Sequence, residues 1–296
     1  MKTNKDSTHE TFTVKEPMSL LPFLLKVMEN RSRNSVKSIL ARGQVSVDDD
    51  ATTKHNYPLK QGQTVTILKN KVAAKVNKMT GFSIIHEDKE IIVINKDAGL
   101  LSIANAREKD FTAYSQLMDY VKIEHPKNRV FIVHRLDRDT SGVMVFAKTE
   151  TVKRKLQDNW KAIVKERTYM ALVEETVKKP KGTITSWLKE SSTLVMYSSP
   201  KEGDGLRAVT HYQTIQSNTT FSLLKVNLET GRKNQIRVHM KDIGHPIVGD
   251  KKYGSKTNAI GRLGLHASVL AFEHPKTGKL LQFEADVPDT FMRKSK

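Results

Sequence analysis

A short polar segment between two apolar runs holds the side chains of this sequence that are best suited to chemistry. In VFIVHRLDRDTSGVMVFAK, the carboxylate of Asp137 has a cation on each side, Arg135 and Arg138, and the hydroxyls of Thr140 and Ser141 follow. A carboxylate on a loop between rigid strands is a candidate for acid–base or nucleophilic work. The simpler alternative is a charged connection between two strands, because polar residues are common at turns. The segment alone leaves both interpretations open.

A second chemical alternative is a magnesium-dependent phosphatase. Residues 137–140, Asp-Arg-Asp-Thr, are similar to the DxDxT pattern of the haloacid-dehalogenase phosphatases, in which the first aspartate is the nucleophile. However, His134 and Arg135 separate Asp137 from the apolar strand, and the later acidic element appears only as GDKKYG, with Gly254 in place of a second carboxylate. Both departures count against this alternative.

Two other residues are candidates for the same site. Tyr169 lies in the predicted strand KERTYMALV, where its ring could face a cleft or fill the core. Arg237 lies in a short predicted helix, off the apolar face formed by Ile236, Met240 and Ile243, and could equally be a solvent-exposed arginine.

The elements that must position these residues alternate between strands and amphipathic helices from Gly81 onward. This pattern predicts a mixed α/β domain over residues 81–296, with many strands joined by short loops. Helices are predicted over residues 112–124 and 152–163. The predicted strands are Ile84–His86, Ile91–Ile94, Val130–Val133, Val143–Ala147, Thr168–Val173 and Leu223–Leu228.

The N-terminal segment has a different pattern. After a polar tail (residues 1–16), residues 17–68 predict two short helices followed by short strands, and a basic linker (residues 69–80) precedes the second domain. Basic residues surround the second helix and suit contacts with RNA phosphates, although a solvated helix face is the plainer explanation. These residues are Arg31, Arg33, Lys37 and Arg42.

The composition favours a polyanionic partner and excludes several kinds of chemistry. The 296 residues include 50 Lys and Arg against 32 Asp and Glu, which gives a formal net charge of +18. Nucleic acid is the first candidate for such an excess. Without cysteine the chain has no disulfide, thiolate zinc site, iron–sulfur cluster or cysteine nucleophile. The histidines show no tight ligand spacing, so no metal site is expected.

No stretch of the sequence predicts a membrane contact. The longest apolar run, Met18–Val27, is interrupted by Pro22 and Lys26 and is shorter than a bilayer span. The polar start of the chain lacks the pattern of a secretory signal. We therefore expect a cytoplasmic protein.

In combination, these strings resemble the RluA-type pseudouridine synthases over essentially the whole chain. The matching strings, in the family's order, are EDKEIIVINKDAGLLS, HRLDRDTSG, KERTYMALV, TGRKNQIRVHM, GDKKYG and RLGLHA. In addition, SRNSVKSILARGQVSVDDD followed by LKQGQTVTI resembles the S4 RNA-binding domain, a small α/β module. The resemblance implies the pseudouridine synthase fold, which is of the α+β class with a mixed, largely antiparallel sheet and flanking helices, preceded by an S4-like domain.

The resemblance also implies roles for individual residues. It makes Asp137 the essential catalytic residue, Tyr169 the active-site tyrosine, Arg237 the partner of the catalytic carboxylate, and Arg135 the side chain that fills the space of a flipped base. The family usually has Gly-Arg-Thr-His-Gln where this chain has Gly-Arg-Lys-Asn-Gln at residues 231–235. We expect this departure to affect RNA contacts or substrate choice and to leave the catalytic set untouched.

The implied function is conversion of uridine to pseudouridine in structured RNA, without a cofactor. An S4-like domain is typical of the family's enzymes for large-subunit ribosomal RNA, so rRNA is the expected partner and tRNA the second candidate. We expect a monomer. The competing class is a non-catalytic RNA-binding or ribosome-assembly factor, against which the complete set of Asp137, Tyr169 and Arg237 argues.

Overall fold

The structure is a computed structural model that describes residues 9–41, 43–68, 79–105, 108 and 111–296. The chain divides into two compact units, Met1–Lys78 and Met79–Lys296, each of which is described by itself. The predicted linker lies mostly outside the described residues, so the predicted domain boundaries stay predictions. Within the described part of the chain, no helix is both long and apolar enough to cross a membrane.

The first unit packs two helices against a small antiparallel sheet. Every second residue of two paired strands is buried: Val45 and Val47 on one strand, and Val65 and Ile67 on the other. This two-residue alternation is expected for a sheet that has one face in the core. The sheet order is β1-β6-β3-β4, and β2 pairs with β5. The elements are β1 (His9–Thr13), β2 (Met18–Ser19), α1 (Leu20–Val27), α2 (Arg33–Ala41), β3 (Val45–Val47), β4 (Asp50–Ala51), β5 (Pro58–Leu59) and β6 (Thr64–Leu68).

The second unit is built on one large sheet with the order β13-β12-β14-β15-β11-β16-β10-β8-β7; β17 pairs with β16, and β9 pairs with β10. Every pairing is antiparallel except that of β10 with β16. The predicted α+β class with a largely antiparallel sheet is therefore confirmed. The strands are β7 (Phe82–Glu87), β8 (Ile91–Lys96), β9 (Phe131–Ile132), β10 (Ser141–Ala147), β11 (Val164–Glu174), β12 (Lys181–Glu190), β13 (Met196–Ser199), β14 (Leu206–Ser217), β15 (Phe221–Leu228), β16 (Leu265–Glu273) and β17 (Leu280–Glu284).

Helices flank this sheet. Thr112 caps the first of them, because its hydroxyl accepts the backbone N–H of Ser115. The helices are α3 (Ala113–Glu124), α4 (Glu150–Asp158), α5 (Trp160–Ile163), α6 (Gln235–Asp242) and α7 (Asp289–Ser295), and a short 3-10 helix spans Lys251–Tyr253.

Two predicted elements differ from the structure. The single helix predicted over residues 152–163 is two helices, because Asn159 leaves the helical conformation and its side chain donates to the carbonyl of Lys155. The strand predicted over Val130–Val133 is limited to Phe131–Ile132. The chain leaves the sheet after Ile132 because the Val133 carbonyl accepts the side chain of Gln157 and the ring of His134 turns back to accept the N–H of Val145.

Candidate active site

Asp137 lies on the loop between β9 and β10, and the residues on both sides of it are fixed to a neighbouring segment. The backbone N–H and carbonyl of Leu136 both bond to the hydroxyl of Ser102, at 3.2 and 2.8 Å. On the other side, the carbonyl of Arg138 accepts the N–H of Gly99 at 2.9 Å. Because both neighbours are held, the backbone of Asp137 has little freedom to move.

A buried lysine completes this anchorage. The Lys96 ammonium has no exposed surface and donates to three backbone carbonyls at 2.8–2.9 Å, one of which is that of Arg138. Burial lowers the pKa of Lys96 to about 8, and nearby negative charge, chiefly that of Asp139, limits the shift. Below that pH the ammonium has three N–H groups, one for each carbonyl. Lys96 thus stabilises the loop that carries Asp137.

Arg237 joins Asp137 to a second, deeply buried carboxylate. Its Nε and Nη2 donate to the two oxygens of Asp250 at 2.7 and 2.8 Å, and its Nη1 donates to Asp137 Oδ2 at 3.0 Å. The Asp250 side chain is only 1% exposed, whereas that of Asp137 is 36% exposed. Burial alone would lower the pKa of Arg237, but the bonds to Asp250, and then to Asp137, raise it overall. The fork to Asp250 therefore orients a charged guanidinium toward Asp137.

Asn234 makes a further contact with the same carboxylate. Its Nδ2 donates to Asp137 Oδ2 at 2.7 Å, and its Oδ1 accepts the hydroxyl of Tyr253 at 3.1 Å. The expectation that the departure at residues 231–235 leaves the catalytic set untouched is therefore wrong. Asn234 precedes α6 directly, and the start of this helix lies against the Asp137 loop although 97 residues separate the two in sequence.

The two oxygens of Asp137 have different surroundings. Oδ2 receives both donors, Asn234 Nδ2 and Arg237 Nη1. Within the part of the chain that the structure describes, Oδ1 has no hydrogen-bond partner. One oxygen thus anchors the carboxylate and the other is available to a reacting atom.

Tyr169 lies on β11, between Val226 of β15 and Ala267 of β16. Its ring is partly buried and packs against residues of two apolar clusters, as the core alternative predicts. Burial raises the pKa of the Tyr169 hydroxyl; the positive charge of Arg167 opposes this shift, and the negative charge of Asp137 adds to it. The phenol is therefore protonated near neutral pH.

Most of the residues predicted to contact RNA are exposed in the structure. Arg135 is exposed and, among the described residues, its side chain forms no ion pair or hydrogen bond. Arg31, Arg33 and Lys37 are exposed on the first unit, with Arg33 and Lys37 one turn apart on α2. Arg42 lies outside the described residues.

No group of three metal-ligating side chains is present in the described ranges of the chain. Asp139, the second aspartate of the phosphatase pattern, is exposed and does not join Asp137 and Asp250. The carboxylates of the site are linked through Arg237 instead.

Comparison with known proteins identifies the family. The family model described as RNA pseudouridylate synthase matches residues 90–242, which include Asp137, Tyr169 and Arg237. The chain belongs to the RNA pseudouridylate synthase family. It is accordingly an RNA-modifying enzyme, an isomerase, and the interpretations as a phosphatase or as a non-catalytic binding factor are replaced.

Relatives of nearly the same length support this assignment. The uncharacterized RNA pseudouridine synthase YlyB of Bacillus subtilis (strain 168) is 34% identical over 279 residues, covering 90% of this chain and 89% of that one. The ribosomal large subunit pseudouridine synthase D of Vibrio cholerae is 34% identical over 277 residues, covering 87% and 84%. The solved structure of human RNA pseudouridylate synthase domain containing 4 has the same fold, with a TM-score of 0.60 and 24% identity over 74% of this chain and 94% of that one.

Sequence reasoning missed four residues that complete the site of this family member. Asp250 and Tyr253 lie in GDKKYG, Asn234 in TGRKNQIRVHM and Lys96 in EDKEIIVINKDAGLLS, so each lies within a recognised string but was not assigned to the catalytic site. Asp250 offered a signal in the sequence, because it directly follows the apolar pair Ile247-Val248 and Gly249, a context that favours burial. A buried carboxylate needs a cationic partner.

Proposed function

We propose that this enzyme converts specific uridines of large-subunit ribosomal RNA to pseudouridine, with Asp137 acting directly on the ribose. The observation that carries the proposal is the asymmetry of the Asp137 carboxylate: Oδ2 is held by Asn234 and Arg237, and Oδ1 has no partner within the described chain. A carboxylate with one anchored and one open oxygen is oriented for a single reacting atom.

The reaction exchanges one glycosidic bond for another. The bond from N1 of uracil to C1′ breaks, the base turns, a bond from C5 to C1′ forms, and the proton of C5 is released while N1 gains one. Asp137 Oδ1 serves either by attack at C1′, which gives a glycosyl ester, or by removal of the C2′ proton, which gives a glycal. In the first route, the two donors on Oδ2 also stabilise the carboxylate when the ester bond breaks.

Tyr169 and Arg135 act on the base in this proposal. The uridine must leave the helix or stacked loop before its glycosidic bond is accessible. The ring of Tyr169 stacks on the extruded uracil, and Arg135, an exposed cation two residues before Asp137, fills the vacated space. Because the Tyr169 phenol is protonated, it must lose its own proton before it can accept that of C5, so its primary role here is stacking.

The first unit is assigned to RNA binding as an S4-like domain. Its support is the sequence resemblance together with the exposed cations Arg31, Arg33 and Lys37; Arg42 belongs to the same proposal through the sequence alone. The choice of rRNA over tRNA is supported by a relative that is named as a ribosomal large subunit enzyme. A monomer in the cytoplasm remains the expectation from the sequence.

The test is tritium release from RNA labelled at C5 of uridine, with ribosomal and transfer RNA compared and EDTA present throughout. We expect release from ribosomal RNA by the wild type and none by Asp137→Asn, an isosteric change that removes the charge. Tyr169→Phe keeps the stacking ring and should keep most of the activity; loss of turnover in that variant would transfer the proton step to its hydroxyl. Release by Asp137→Asn at the wild-type rate would overturn the role of Asp137, and release from transfer RNA alone would overturn the choice of substrate.

A further inference from the structure

Asn234 occupies the position of a helix cap but does not cap. It is the residue before α6, where an asparagine side chain ordinarily accepts a backbone N–H of the first turn. Here the side chain makes no such bond. Its amide instead donates to Asp137 and accepts from Tyr253. The stabilisation that a cap would give this helix is thus replaced by contacts with the active site.

The backbone of Asn234 is adapted to this arrangement. It has a φ of 53°, in the left-handed region, where asparagine and aspartate are the non-glycine residues best tolerated. Arg237 follows three residues later on the same side of the helix and reaches the same oxygen of Asp137. The start of α6 therefore presents two donors to one carboxylate oxygen.

Tyr253 fixes the direction of the Asn234 amide. Its hydroxyl accepts the backbone N–H of Met196 at 3.2 Å, so the phenol hydrogen is free to point at Asn234 Oδ1. With the amide oxygen bound in this way, the NH₂ group faces Asp137, as a carboxylate requires. Tyr253 is itself only 2% exposed, and Arg237 covers its ring at 4.9 Å from the centroid. The hydroxyl therefore has a fixed position.

We propose that Asn234 and Tyr253 form a positioning relay for the catalytic carboxylate, in which Tyr253 orients the amide of Asn234 and Asn234 holds Asp137 Oδ2. This inference rests on the proposed role of Asp137. Neither residue touches the substrate in the proposal; both act by keeping Oδ1 directed at the ribose. The Tyr253 hydroxyl acts on Asp137 through Asn234.

The decisive variant is Asn234→Asp, because it keeps the size of the side chain and tolerates the left-handed backbone. It replaces the donor beside Asp137 Oδ2 with a carboxylate, so we expect kcat to fall by more than about 100-fold, with KM and Tm close to those of the wild type. Asn234→Ala, which removes the donor without adding a charge, should lower kcat by about 10- to 100-fold. A purely structural role would give the opposite order, with aspartate tolerated better than alanine. The matched control is Asp242→Asn, the reverse change at the exposed end of the same helix, which should leave kcat unchanged.

The relay is tested separately from the single residue by a double-mutant comparison. Tyr253→Phe keeps the buried ring and should lower kcat by roughly 3- to 10-fold in the wild-type background, but have no effect in Asn234→Ala. An equal loss in both backgrounds would overturn the relay, and so would an Asn234→Asp enzyme within about threefold of wild-type kcat. Inactive Asp137→Asn beside active Asn234→Asp would reject the relay and leave the proposed function intact, whereas active Asp137→Asn would reject the proposed function itself.

Discussion

Replacement of Arg237 by alanine should have two separable effects, because its guanidinium serves two carboxylates of very different exposure. The Asp250 side chain is 1% exposed and loses the two hydrogen bonds that Arg237 donates to its carboxylate in the wild type. Leaving a buried carboxylate without its cation typically destabilises a protein by about 3–5 kcal/mol. For a unit of this size we expect a decrease in Tm of roughly 10 °C.

The effect on catalysis follows from Asp137. This carboxylate is 36% exposed and keeps its bond to Asn234, so the variant removes one of two donors from a partly solvated group. A hydrogen bond to a charged group contributes about 1.5–3 kcal/mol, which corresponds to a loss of roughly 10- to 150-fold in kcat. The activity should therefore be strongly reduced but measurable.

A second substitution separates the two effects. In Arg237→Ala/Asp250→Asn the buried charge is replaced by a neutral amide, which should recover about 2 kcal/mol of stability without restoring kcat. Thermal unfolding gives the stability, and single-turnover tritium release at a temperature below all transitions gives the rate. The reasoning fails if Arg237→Ala turns over within threefold of the wild type, or if the double variant is no more stable than the single one.

Three other predictions concern the backbone, pH and salt. Gly142→Ala should prevent stable folding, because at its φ of 112° a Cβ would lie 2.0 Å from the carbonyl oxygen of Ala267. Gly278→Ala, with open space at a φ of 71°, should lower the free energy of unfolding by only about 1 kcal/mol. Equal shifts of Tm in the two variants would contradict this prediction. Burial lowers the pKa of His239 to about 4, so between pH 6.5 and 4 the unfolded chain binds a proton that the folded chain does not. The free energy of unfolding should therefore fall with decreasing pH by up to about 3 kcal/mol relative to that of His239→Gln. Parallel pH curves of the two proteins in denaturant unfolding would refute this prediction. Lys37→Ala should reduce the slope of log Kd against log salt by about one, and an unchanged slope would remove Lys37 from the RNA contacts.

Local periodicity predicted most elements of the second unit because each is decided by neighbours in sequence. The helix around Ile236 and Met240 and the strand around Tyr169 appear where their patterns placed them. The prediction was wrong where a side chain bonds to the backbone and changes the chain's direction. Asn159 ends α4 in this way, and His134 turns away from the strand that Val130–Val133 predicted.

The contacts of the site could not be predicted in the same way because they join distant segments. Asn234 precedes Arg237 by three residues in the sequence, but only the folded chain brings it to Asp137. From the sequence alone, Asn234 and its neighbour Lys233 were therefore expected to have the same effect, on RNA contacts or substrate choice. Similarly, Asp250 acquires its importance from burial, which a single carboxylate in a turn-like string does not reveal.

The site has two independently anchored halves. One is the Asp137 loop, whose backbone is held by Lys96, Gly99 and Ser102; the other is the stretch 234–253, which supplies every donor that reaches the carboxylate within the described chain. Asp137 belongs to the first half, and Asn234 and Arg237 belong to the second. A small displacement of either half therefore changes the hydrogen-bond distances at Asp137 Oδ2. Since a misplacement of about 1 Å can lower a rate by about 100-fold, changes in either anchor should reduce turnover more than RNA affinity.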